Sequence, residues 1–248
     1  MIKWLKAIFF LVPYFCWSYF RWILPYSMNV DKYPLELRWK RVRRLCQLFV
    51  KYFGIEYDKD AFYKTKEFRK NALFVCNHTS FVDPVIFIVE NSRPLTFISK
   101  IESRKFFMVG RIIRIIDGMF IDRSDLKQSF RTMKKIEDFL NSETPRDVII
   151  FPEGTRNRDP YSSLLEYHYG SFKNATKTKA NIEYFYQLDS HKILSMKSNK
   201  LKNKIYFKHL GTLTYDDYKD MSTVEVAETI RDATEKELNV LKEKVKNL

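Results

Sequence analysis

The sequence predicts an α/β fold, a mostly parallel central sheet flanked by helices, preceded by an N-terminal membrane-embedded helical hairpin. Three observations carry this expectation. From residue 71 onward, short apolar runs alternate with helical stretches, the order that builds a parallel sheet with helical crossovers. His78, Arg123 and Glu153 each stand just beyond the end of an apolar run, at the sheet edge where such folds hold their ligands. The first 56 residues differ in character, being rich in aromatic and basic side chains.

The elements follow in order. Residues 7–20, AIFFLVPYFCWSYF, are apolar behind a basic start, but no small-residue cleavage site follows them as in a signal peptide. The run falls short of the roughly 18–20 residues that span a bilayer, and Pro13 and Arg21 stand where a spanning helix would avoid them. Trp4, Trp17 and Trp22 suit the headgroup level. Residues 34–53 set Val42, Leu45, Cys46, Phe49 and Phe53 on one face and Arg38, Arg41, Arg43, Arg44 and Lys51 on the other. That is a basic amphipathic helix. Lys3 and Lys6 precede the apolar run and Lys32 follows it, and positive charge on both flanks argues against a clean crossing. The expectation is a hairpin in one leaflet, with a single tilted span or a helix pair packed on the core as alternatives. Residues 1–56 are read as this membrane-associated segment and 57–248 as the α/β domain.

Within that domain, ALFVC (72–76) reads as a buried strand. Asp83 and Pro84 then open a helix as N-cap and first residue. Strands at 94–99, 118–122 and 147–151 enclose helices from 101 to about 116 and over 126–140. The second helix is expected to turn Leu126, Phe130, Met133, Ile136 and Leu140 inward. After a helical stretch at 171–179, IEYFYQL (182–188) and KIYFKHL (204–210) are strand-like. A last helix begins at Ser222 and Glu225, the spacing of a capping box.

Composition narrows the chemistry. A net charge of +14 suits nucleic acid, an anionic membrane face or phosphorylated substrates. The 16% aromatic content, with 21 Phe and 15 Tyr, favours the membrane or RNA over a plain soluble enzyme. Cys16, Cys46 and Cys76 are scattered in apolar contexts, which suggests reduced thiols and neither a disulfide framework nor a metal site.

Two roles are open to Asp83 in the stretch LFVCNHTSFVDP (73–84): helix cap, or partner of His78. Near the same sheet edge, Phe120-Ile121-Asp122-Arg123 delivers an arginine, whose planar fork suits phosphate. Phe151-Pro152-Glu153-Gly154-Thr155-Arg156 then gathers a rigid turn, a carboxylate, a permissive glycine, a hydroxyl and a cation. Lys100, one residue past a strand end, is the best placed of the remaining cations.

Taken together these blocks resemble the glycerolipid and lysophospholipid acyltransferases. The family's N-H-x4-D motif stands here as Asn77 to Asp83, its second block resembles Gly118 to Arg123, and its F-P-E-G-T-R motif matches Phe151 to Arg156 without a change. The likeness runs from about residue 70 to 215. Two departures bear on substrate preference. His168 stands where the family usually has lysine, and Ile182-Glu183-Tyr184-Phe185 lacks the usual proline and carries a glutamate.

The resemblance implies transfer of an acyl chain from a thioester, acyl-CoA or acyl carrier protein, to a glycerol hydroxyl. It makes His78 the general base, Asp83 its orienting acid, and Arg123 and Arg156, with Lys100, the holders of an acceptor phosphate. Glu153, Gly154 and Thr155 would orient glycerol hydroxyls. No metal or cofactor is implied. The expected acceptor is lysophosphatidic acid, with glycerol 3-phosphate or another lysophospholipid as alternatives. The expected location is the cell membrane at its cytoplasmic face. A Ser80 hydrolase lacks the G-x-S-x-G elbow. A non-catalytic membrane- or RNA-binding protein would leave both motifs unexplained, so nucleic acid is not an expected partner.

Overall fold

A computed structural model of the chain describes residue 9 and residues 12–60, 70–122, 124–195 and 202–246. It opens with helix α1 (Val12–Ser18), a π-helical turn at Tyr19–Ile23, helix α2 (Leu24–Met28) and the long helix α3 (Leu35–Tyr52). Strand β1 (Ile55–Glu56) precedes the central alternation of β2 (Ala72–Cys76), α4 (Asp83–Glu90), β3 (Leu95–Lys100), α5 (Val109–Ile115), β4 (Met119–Ile121), α6 (Leu126–Leu140) and β5 (Asp147–Ile150). Helix α7 (Lys173–Thr178), strands β6 (Asn181–Leu188), β7 (Asn203–Lys204) and β8 (Tyr206–Leu213), and helices α8 (Tyr215–Tyr218) and α9 (Thr223–Lys246) complete it.

The main sheet runs in the order β4-β3-β5-β2-β6-β8. Its first five strands are parallel, and β8 is antiparallel to β6 at the edge. β1 and β7 form a separate parallel pair. Every residue of the central strand β2 is buried, as its unbroken apolar run requires of a strand covered on both faces. Alternate residues serve two layers. Phe74, Cys76 and Ile149 pack under the N-terminal helices, α4 and α5, while Leu73, Val75, Val148 and Ile150 pack under α6, α7 and α9.

Register positions the functional edge. Val75 lies opposite both Ile150 and Tyr184, and Cys76 opposite Phe185. His78 and Glu153 therefore leave the sheet from adjacent strands at the level that Gln187 occupies on β6.

The N-terminal region departs from the expected hairpin. No described helix is long and apolar enough to cross a membrane. The apolar face of α3, with Val42, Leu45 and Cys46, is buried in the same core cluster as β2 and α4. Trp22, Ile23 and Tyr26 join that cluster, so the aromatic content of residues 12–56 serves the protein interior as much as its surface. Residues expected on either side of the 56/57 boundary share one core. Arg38, expected on the solvated basic face, is buried and bridges α3 to the end of α5. Its guanidinium meets Asp117 at 2.8 and 3.2 Å, donates to Tyr33 O at 2.8 Å, and also bonds Ile115 O. Lys3, Trp4 and Lys6 lie outside the described residues.

A second difference concerns α6. Met133, Ile136 and Leu140 face inward as its spacing predicts, but Leu126 is 82% exposed and Phe130 70%. The polar side of these turns faces β4, with Gln128 and Thr132 bonding Phe120 O and Ser129 bonding Asp122 O, which leaves Leu126 and Phe130 turned outward.

Candidate active site

At the carboxyl ends of the parallel strands lies a cavity of about 590 Å³, the position where open α/β sheets bind ligands. Its walls include His78, Phe81, Lys100, Phe151, Arg156 and His168.

The geometry separates the two roles open to Asp83. Asp83 is the first residue of α4, but its side chain makes no capping bond to that helix. Its carboxylate points back into the loop after β2. There Oδ2 accepts from His78 Nδ1 at 2.7 Å, Thr79 N at 2.7 Å and Ser80 N at 2.8 Å. A carboxylate is acceptor-only, so Nδ1 carries the hydrogen and Nε2 is the basic nitrogen. Asp83 is 0% exposed, whereas the His78 side chain is 19% exposed and borders the cavity. The His78 ring also stacks on Phe151, with centroids 4.4 Å apart and planes at 26°. One nitrogen is thus anchored and one face covered, leaving Nε2 for chemistry. Asn77 braces the same loop, donating to Gln187 O and accepting from Gln187 N, each at 2.8 Å.

The block after β5 divides its residues between the cavity and the interior. Gly154, Thr155 and Arg156 line the cavity. Gly154 has φ of 63°, a conformation that glycine adopts without the steric cost of a side chain, and it turns the chain out of the sheet edge. Arg156 lays its guanidinium over the Phe81 ring at 3.8 Å. Among the described residues it has no acidic partner in ion-pair contact. Burial, with the nearby Arg158 charge, pushes its guanidinium below its ordinary range, and the charge of Asp83 opposes the shift. Lys100 borders the cavity but is mostly exposed and sits 3.5 Å from Glu102, a surface pair of small energetic weight. Arg123 lies outside the described residues.

Glu153, expected to meet substrate hydroxyls, instead supports the histidine. It is 3% exposed, does not line the cavity, and accepts the His78 backbone N–H at 2.8 Å through Oε1. Oε2 has no partner among the described residues. Burial pushes its carboxyl up to about 7, opposed by the backbone donors of His78 and Leu165. Between the ordinary value near 4.5 and about 7, the folded state holds a proton that the unfolded state has released. Folding stability therefore falls as pH rises through that window and levels off above it. Glu153→Gln keeps an acceptor for His78 N–H and removes the titration. Denaturant unfolding at pH 5 and pH 8 should show the wild type losing roughly 3 kcal/mol more than the variant. Equal losses would show that Glu153 does not titrate there.

Sequence reasoning did not single out Gln187 and Ser190, which reach Asp83 from the end of β6 and the turn after it, or Phe81 and Phe151 as packing surfaces. Asn77 stood within the motif, and its place there was the available signal.

A family model described as Acyltransferase matches residues 55–184, more than half of the 248 residues. The chain belongs to the acyltransferase family. A probable 1-acyl-sn-glycerol-3-phosphate acyltransferase of Mycoplasma pneumoniae is 34% identical over 155 residues, covering 60% of this chain and 53% of that protein. A 1-acyl-sn-glycerol-3-phosphate acyltransferase of Chlamydomonas reinhardtii is 26% identical over 179 residues, 69% of this chain and 52% of that one. The chain thus spans about half the length of these curated acyltransferases. The crystal structure of the 1-acyl-sn-glycerophosphate acyltransferase of Thermotoga maritima superposes with a TM-score of 0.68 at 18% identity, covering 97% of this chain and 96% of that one. The acyltransferase fold is therefore shared over nearly the whole length.

Proposed function

We propose that this chain transfers a fatty acyl group from a thioester to the sn-2 hydroxyl of 1-acylglycerol 3-phosphate, with His78 as general base. The observation that carries the reading is the anchored imidazole at the cavity wall, whose Nε2 is left for a substrate hydroxyl. The reaction named for the Mycoplasma and Chlamydomonas relatives supports the same reading.

An alcohol is a weak nucleophile at neutral pH, and a positioned base raises its reactivity by about 10²–10⁴. Nε2 takes the hydroxyl proton as the oxygen attacks the thioester carbonyl carbon. Asp83 stabilises the imidazolium so formed. The tetrahedral intermediate collapses with loss of the thiolate, which recovers the proton. No cofactor takes part, and the donor is acyl-CoA or acyl carrier protein. Arg156 holds the acceptor phosphate, with Lys100 and Arg123 as further cations. Gly154 and Thr155 border the glycerol, and Glu153 acts from below through the His78 backbone.

Both substrates carry apolar tails, and the cavity mouth suits them. Phe81 and Phe106 meet edge to face at 5.7 Å beside the cavity, and Phe107 stacks on Tyr19 at 4.5 Å. Trp17, Phe20, Phe106 and Phe107 are exposed, with exposed Arg104 and Lys105 beside them. Apolar side chains among cations fit an anionic leaflet. In this reading the N-terminal segment rests on the cytoplasmic face through this band, and only part of residues 1–56 meets lipid.

Parallel assays with acyl-CoA and lysophosphatidic acid, glycerol 3-phosphate or lysophosphatidylcholine test the acceptor. Turnover greatest on lysophosphatidic acid supports the proposal; glycerol 3-phosphate or lysophosphatidylcholine as the better substrate keeps the chemistry and replaces the acceptor. Arg156→Ala should raise KM for lysophosphatidic acid roughly 10–100-fold, the loss of a charge-assisted contact. An unchanged KM would remove Arg156 from phosphate binding.

A further inference from the structure

We propose that Ser190, held on the far side of Asp83 from the histidine, is a positioning residue for His78. The inference rests on the proposed role of His78 as base.

The carboxylate of Asp83 is gripped from two separate parts of the chain. Residues 78–80 hold Oδ2. Oδ1 is held from the end of β6 by Gln187 Nε2 at 3.2 Å and from the turn after it by the Ser190 hydroxyl, while Thr79 Oγ1 stands 3.4 Å away. Ser190 Oγ and Thr79 Oγ1 are 2.8 Å apart. Because the carboxylate cannot donate, the Ser190 hydroxyl must spend its hydrogen on Oδ1. Thr79 then donates to Ser190, and both buried hydroxyls are satisfied.

Ser190 is itself fixed. It is fully buried and follows Asp189, whose φ is 75°. The Asp189 carboxylate is held outside by Lys192 Nζ at 2.8 Å and by the Tyr161 hydroxyl. The turn after β6 therefore locks one oxygen of Asp83, and through it the plane and tautomer of the imidazole.

A hydrogen bond to a carboxylate spreads its charge and weakens its pull on a neighbouring proton. Removing the Ser190 donor strengthens the attraction of Asp83 for an imidazolium, so His78 stays protonated to higher pH. The other titratable groups that face Asp83 are Cys76 on β2, Glu153 and Arg156 after β5, and His191 in the turn itself. All are unchanged when variants at Ser190 are compared.

The test is the pH dependence of kcat for acyl-CoA and lysophosphatidic acid with the full chain, comparing wild type, Ser190→Ala, Ser190→Thr and His78→Ala. Ser190→Ala should move the acid limb up by about 0.5–1 pH unit and lower kcat at neutral pH roughly 3–10-fold. KM should be unchanged, and Ser190→Thr should restore both limb and rate. An inactive His78→Ala beside a Ser190→Ala enzyme with the wild-type limb and kcat overturns the positioning role alone. An active His78→Ala overturns the base, and the role of Ser190 falls with it. If Ser190→Ala does not fold, Ser190→Cys decides: its weak S–H donor should move the limb upward in the same direction, and an unmoved limb overturns the inference.

Discussion

His78→Ala should lower kcat by about 10³-fold while leaving the fold intact, because it removes the side chain that takes the hydroxyl proton in the proposed reaction. The fold should tolerate the change. The His78 side chain is partly exposed, and its backbone N–H bond to Glu153 does not depend on the ring. The lost contacts are the stack on Phe151 and the Nδ1 bond to Asp83, whose Oδ2 keeps the backbone donors of Thr79 and Ser80. Circular dichroism and an unfolding midpoint close to wild type, beside the lost rate, identify a chemical role. Activity within tenfold of wild type would make His78 part of the wall and assign the base elsewhere.

Asp83→Asn should have the next largest effect, and its local geometry says why. The amide oxygen must face His78 Nδ1, Thr79 N and Ser80 N, since all three donate on that side. The amide NH₂ then faces Ser190, which can accept, and Gln187, whose Oε1 is buried without a partner among the described residues. Orientation of the imidazole survives, and what disappears is the negative charge beside the imidazolium. An adjacent opposite charge commonly shifts a titration by 1–3 units, so kcat should fall roughly 10²–10³-fold with KM nearly unchanged. Asp83→Ala should instead strip the buried donors of their acceptor and destabilise the chain by roughly 3–5 kcal/mol. If Asp83→Asn matched the wild-type rate, the carboxylate would be structural.

The contrast between these residues and their neighbours shows what the sequence could reveal. All six strands of the main sheet were legible, since each is a short apolar run between polar breaks. The His78–Asp83 pair was legible because its partners are five residues apart. Ser190 was not, because its contact with Asp83 spans 107 residues and depends on the register of β6 against β2. Glu153 was placed at the right strand end, but the turn at Gly154 decides which side chains enter the cavity, and the carboxylate went inward. The N-terminal aromatics misled for a physical reason. A protein interior and a lipid leaflet both select apolar faces on helices, and periodicity does not distinguish them. Trp22, Tyr26 and the apolar face of α3 chose the interior, while Trp17 and Phe20 remain outside.

The most direct measurement follows free thiol and phosphatidic acid together when the protein meets acyl-CoA and lysophosphatidic acid in mixed micelles. Direct transfer predicts equal initial rates for the two products and no thiol release when the acceptor is left out. Thiol release without phosphatidic acid would make the chain a thioester hydrolase and would contradict the account at its centre.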